Sequence, residues 1–64
     1  MTIDIRVENH GSLFLLCPVR ARADAWLRAN VSEDAQWFHR AVAVEPRYVT
    51  NVVDGARRAG LEVR

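Results

Sequence analysis

The chain begins with a strict alternation. Ile3, Ile5 and Val7 fall on one side of an extended backbone, and Asp4, Arg6 and Glu8 on the other. That period of two predicts a half-buried strand. Asn9-His10-Gly11 follows, and because Asn and Gly tolerate positive φ it predicts a tight hairpin turn. Ser12-Leu13-Phe14-Leu15-Leu16-Cys17 is apolar on both faces, which predicts a central strand or one whose second face is covered. Pro18 has no N–H to offer a ladder and ends it.

Past Pro18 the period lengthens. Ala23, Trp26, Leu27 and Asn30 stand at helical spacing, and Asp24 and Arg28 lie four apart in the favourable order. The spacing predicts a helix over about Arg20 to Asn30, closed by Asn30. Ser32-Glu33-Asp34 reads as a polar turn, with Glu33 and Asp34 capping or polarising it. A third strand is predicted from roughly Trp37 to Val44. Phe38, Val42 and Val44 share one of its faces, interrupted by Arg40, and Trp37, His39, Ala41 and Ala43 share the other.

Glu45-Pro46 opens a second helix, since proline suits its first position and a carboxylate there complements the dipole. Tyr48, Val49, Val52, Val53, Ala56 and Ala59 form its apolar stripe, and Arg47, Thr50, Asn51, Asp54, Arg57 and Arg58 its wet face, where Asp54 is expected to pair with Arg57 or Arg58. Gly55 costs that helix about 1 kcal/mol against alanine, which calls for close packing at that point. Gly60 is a natural stop. Leu61-Glu62-Val63 reads as a short edge strand or a tail.

The order β-β-α-β-α defines an α+β two-layer sandwich. It has a small mixed sheet of three strands, with a short fourth if Leu61-Val63 joins, and two helices on one face. Residues 1–64 make a single compact domain without linkers or repeats. A right-handed crossover makes the second and third strands parallel neighbours.

Two helices cover only one face of so small a sheet. The second strand has apolar residues for both. With Leu13, Leu15 and Cys17 toward the helices, Phe14 and Leu16 face outward; the opposite assignment leaves Leu13 and Leu15 outside. Burying each such side chain is worth roughly 1.5–3 kcal/mol. The first assignment makes Phe14 and Leu16 the expected interface, with Ala41 and Ala43 beside them; Trp37 is either an edge anchor of that interface or packs over a helix end. Three covers fit: arginine stems such as Arg6, a second copy of the chain, or a different protein.

Size sharpens this point. A 64-residue chain buries only about 60% of its unfolded surface, and a core that small supplies roughly 3–5 kcal/mol. The single cysteine, Cys17, excludes a disulfide within the chain; it reads as a buried free thiol suited to a reducing compartment. The first residues are not a basic-then-apolar leader, and nothing approaches the ~18 apolar residues of a membrane span. The expected location is cytoplasmic, away from membranes.

The net charge of +1 makes no bulk case for nucleic acid. All nine basic residues are arginine, which fits a GC-rich coding sequence or a use for the guanidinium fork on carboxylates or phosphates. Arg20 and Arg22 fall in the first turn of the first helix, where the dipole disfavours cations and no capping side chain precedes them. They either extend to water or Glu33, or contact a phosphate or an acidic partner. With Arg57 and Arg58 they make the arginine surface of a nucleic-acid-associated accessory protein.

Catalytic chemistry has little to stand on. Cys17 would need a base such as His39, and no characteristic motif surrounds it. His10, Cys17 and His39 are scattered, whereas zinc needs about four converging ligands. No catalytic residue, cofactor or metal is assigned, and a domain this thin is not expected to hold a pocket of about 300 Å³.

Three segments, Asn9-His10-Gly11-Ser12, Glu33-Asp34-Ala35-Gln36-Trp37 and Val44-Glu45-Pro46-Arg47-Tyr48, resemble a family of short uncharacterised proteobacterial proteins, some linked to phages or mobile elements. The resemblance brings no activity and no site residue. Its context implies an adaptor or an inhibitor of a host system. The expected function is a small non-enzymatic protein-interaction module, homodimerising through the open sheet face or binding another protein; the alternative is the nucleic-acid accessory.

Overall fold

Strands β1 (Ile5–Asn9) and β2 (Phe14–Pro18) form an antiparallel hairpin, pairing Ile5 with Pro18 and Asn9 with Phe14. The expected turn closes it. Gly11 has φ +82°, its N–H donates to Asn9 Oδ1 at 2.9 Å, and the His10 N–H donates to the Leu13 carbonyl at 2.8 Å. These coordinates are a computed structural model and describe residues 3–32 and 34–64. The reading made of the first two residues and that of Glu33 lie outside them.

Helix α1 (Ala21–Asn30) stands where its spacing predicts. Asp24 and Arg28 pair at 3.2 Å, and the Asn30 side chain donates to the Trp26 carbonyl at 2.8 Å, finishing the helix. The single strand expected over Trp37 to Val44 is instead a hairpin, β3 (Gln36–Phe38) and β4 (Ala41–Val44). His39 and Arg40 form its two-residue turn, and His39 has φ +57°. Arg40, which broke the apolar row, is a turn residue. A turn of this length needs positive φ at its first central position, normally a glycine's place, so histidine hides it.

The strands run β1-β2-β4-β3, each antiparallel to its neighbour. The parallel pairing expected of β2 with the third strand is therefore corrected. β3 runs in the same direction as β2, but β4 lies between them. The reason is burial: β4 sets Val42 and Val44 opposite Leu16 and Phe14.

Helix α2 (Pro46–Arg58) also stands as predicted. Gly60, at φ +88°, ends it: the Gly60 N–H donates to the Arg57 carbonyl and the Leu61 N–H to the Ala56 carbonyl, both at 3.0 Å. That pair of bonds is a Schellman close, with Leu61 buried behind it. The chain then runs beside β1. Val63 forms a parallel bridge with Ile5, and the Val7 N–H donates to the Arg64 carbonyl at 2.7 Å.

Residues opposite one another in an antiparallel pair point to the same face. Ile5, Val7, Leu16, Val42, Val44 and Trp37 therefore look toward the helices, where they meet Ala23, Trp26 and Leu27 of α1 and Val52, Val53 and Ala56 of α2. This overturns the expected interface. Leu16 is 1% exposed at the centre of the core. Phe14 shares its row, half-buried, in a groove with Val49 and Val53. Trp37 packs on the core, with the Arg28 guanidinium 4.3 Å from its ring centre. The row left outside is Leu15 and Cys17.

The stripe of α2 is narrower than expected. Tyr48 is 49% exposed under the Arg47 guanidinium, 4.8 Å away, and Ala59 is exposed. Gly55 does have its close neighbour, since a Cβ there would meet the Trp26 ring at 3.4 Å. That is contact without overlap. Gly55→Ala should raise stability by about 0.5–1 kcal/mol, whereas Gly55→Ile, which drives into the indole, should lower it; urea unfolding reads both. His39→Gly should add about 1 kcal/mol by removing the left-handed penalty, read the same way.

Candidate functional site

Asp4 is the first surprise. Placed on the wet side of the first strand by its alternation, it is 1% exposed. It precedes β1 and sits under the start of α1. Arg22 Nε donates to Asp4 Oδ1 and Arg22 Nη2 to Oδ2, both at 2.9 Å, and the Glu62 N–H donates to Oδ2 at 2.8 Å. The Arg22 hydrogen bonds and the Glu62 N–H hold this carboxyl down at about 2, below the ordinary 3.8. The anion expected to relieve Arg22 is internal.

The four arginines of the expected anion surface are accordingly split. Arg22 is committed to Asp4 and reaches the Gly60 carbonyl at 3.4 Å. Arg57 does not meet Asp54; it donates to the Val63 carbonyl at 3.5 Å. Arg20 stands at the N-cap of α1, which lacks a side-chain cap bond, and Arg58 is exposed on α2. Two of the four thus serve the fold.

The outer face of the sheet carries the most distinctive surface. Register places its side chains in two rows. One reads Glu8, Leu15, Ala43, Gln36 across the strands. The other holds Arg6 and Cys17 on β1 and β2, and Ala41 and Phe38 on β4 and β3. Phe38 is 50% exposed. Arg6 turns along its own strand to Glu8, at 3.1 Å, and His10 Nε2 lies 3.1 Å from the other Glu8 oxygen. The His10 and Arg6 bonds push the Glu8 carboxyl down. The Arg6 stem therefore borders the strip at β1 and leaves Phe38 open at the opposite flank.

Cys17 is half-buried in this strip, not sealed in the core as expected. Burial, then the Glu8 charge, pushes its thiol up, away from the thiolate a nucleophile needs. Its titratable neighbours are Glu8 and Arg6, so the pairing with His39 does not form. Among the described residues no three His, Cys, Asp or Glu side chains converge on a metal position. No helix among them is long and apolar enough to cross a membrane.

A groove does exist, contrary to expectation. It measures about 630 Å³ and opens where β2 starts and β4 ends. Leu13, Val31, Val44 and Val52 line it, with Asp34 and Glu45 contributing carboxylates; neither Cys17 nor His39 reaches it. Its walls come from three separate parts of the chain, the residues after α1, the ends of β2 and β4, and the first turns of α2, which no local pattern announces.

Comparison with protein-family models, curated proteins and solved structures finds no match to this chain, so the resemblance drawn from the three segments gains no support from them.

The Asp4 carboxyl makes stability depend on pH with a definite sign. Its folded value of about 2 lies below its ordinary 3.8, so between these the unfolded chain binds more protons and stability rises with pH. The contribution is complete above about pH 4 and is lost as pH falls through about 2. Asp4→Asn should lower the melting temperature at pH 7 and flatten the dependence between about pH 2 and 4, measured by thermal unfolding across that range.

Proposed function

We propose that the chain is a small protein-interaction module of the cytoplasm, without a reaction of its own, and that its contact surface is the outer face of the sheet. One observation carries the reading. Both helices pack on the inner row of Ile5, Leu16, Val42 and Val44, and the opposite face still holds Leu15, Cys17, Ala41, Ala43 and a half-exposed Phe38. An antiparallel sheet whose second face meets only water normally makes that face polar. Here the polar residues are confined to the flanks, Arg6 and Glu8 on β1 and Gln36 on β3. A polar rim around an apolar centre is the anatomy of a contact patch. The free Cys17 thiol suits a reducing compartment.

Faces can be told apart by substitution. Leu15→Asp should leave the circular dichroism and urea midpoint close to those of the parent, whereas Leu16→Ala should cost about 2–5 kcal/mol and Leu16→Asp should prevent folding. A photo-crosslinking residue at Leu15, introduced in cells that make the protein, should form a discrete protein adduct. The same residue at Arg58 should not. Absence of any adduct from Leu15 in the folded protein would overturn the reading.

A further inference from the structure

We infer that the occupant of the outer face is a second copy of the chain, packed face to face about a two-fold axis that runs along the strands between β2 and β4. This rests on the outer face being the contact surface, as proposed above, and goes further by naming the partner and the geometry.

The argument is volume along the rows. From β1 to β3 one row reads Glu8, Leu15, Ala43, Gln36. Continuing the β2–β4 register by one residue brings Cys17 level with Ala41, so the other reads Arg6, Cys17, Ala41, Phe38. In both central pairs the larger side chain is on β2 and an alanine on β4. A two-fold along the strands reverses the order of each row. It sets Leu15 on Ala43 of the second copy, Cys17 on Ala41, and each alanine under the mate's larger residue. Isologous contacts require this reciprocity, and side chains of aligned sheets about 10 Å apart must interdigitate. A two-fold across the strands would instead stack β2 on β2, crowding Leu15 and Cys17, and β4 on β4, leaving a gap between alanines.

The flanks agree with the first axis. It sets Glu8 over Gln36 of the second copy, a carboxylate over an amide donor. It sets Arg6 over Phe38 of the second copy, a cation over an aromatic face. The chain already stacks Arg28 on Trp37 and Arg47 on Tyr48, at 4.3 and 4.8 Å. Phe38 is exposed without such a cover. Four strands about 4.8 Å apart and three to five residues long present a footprint of only about 300 Å², well short of the ~800 Å² per partner of a standard interface. The dimer is therefore a weak one, at the small end of the interface size range.

Sedimentation equilibrium from about 1 µM to 1 mM, a span that covers weak association, tests this. The parent chain should pass from monomer to dimer mass. Ala43→Arg should remain monomeric with unchanged circular dichroism. Leu15→Ala and Ala43→Leu should each weaken association about tenfold, and the double variant, which exchanges bulk and vacancy, should restore it. A parent chain that stays monomeric throughout overturns the second copy as partner, while a Leu15 photo-adduct to another protein would leave the contact surface standing. A dimer indifferent to Ala43→Arg overturns the face. A folded double variant that fails to recover association overturns the axis.

Discussion

A carboxylate with almost no exposure holds the ends of this molecule together. Asp4 stands just before β1, and an isolated charge there would be expensive to bury. The Arg22 fork and the Glu62 N–H together satisfy both of its oxygens. Its backbone works as well: the Asp4 carbonyl accepts the Val19 N–H at 2.7 Å, and the Asp4 N–H donates to the Glu62 carbonyl at 2.9 Å. One residue thus joins the start of β1, the exit from β2, the first turn of α1 and the last segment of the chain. The carboxylate also lies near the positive end of α1, which lacks a side-chain cap.

The remaining architecture follows from that knot. Because Arg22 also touches the Gly60 carbonyl, the entry to α1 and the exit from α2 meet at one corner. The Schellman close turns the chain there, buries Leu61 and delivers Val63 to the edge of β1. Both helices are then committed to the inner face, where Trp26 lies against Gly55. Among the described residues neither helix reaches the other side, which leaves its apolar row open.

That imbalance connects stability to function. The inner core is closed by small and medium residues, among them Ala23 and Ala56, while Leu15 and Phe38 are spent on the outside. Apolar side chains left on the surface in this way are what the interaction module proposed above would need. The arginines show the opposite allocation. Arg22 and Arg57 satisfy acceptors within the chain, and Arg28 and Arg47 lie over aromatic rings. A phosphate-binding surface would hold such groups free.

Much of the fold was legible in the residues themselves, because local rules govern it. Period two in Ile5 to Glu8, helical spacing in α1 and α2, proline at the entry to α2 and glycine at its exit each act within a few residues and each hold in the structure. The two-layer α+β class follows from their order. What the residues left open depends on parity and on distance. Four residues lie between the paired Asn9 and Phe14; an odd number would have turned β2 over and put Leu15 inside in place of Leu16. An apolar run cannot reveal that count. The turn at His39 was hidden because its positive φ is imposed by the pairing of Phe38 with Ala41, not by the residue's own preference. The burial of Asp4 was hidden because its partners Arg22 and Glu62 lie 18 and 58 positions along the chain. Sequence alone therefore determined β1, β2 and both helices and that one sheet face would remain apolar; only tertiary structure, through register and long-range pairing, split the expected third strand into β3 and β4 and decided that this face is Leu15, Cys17 and Phe38.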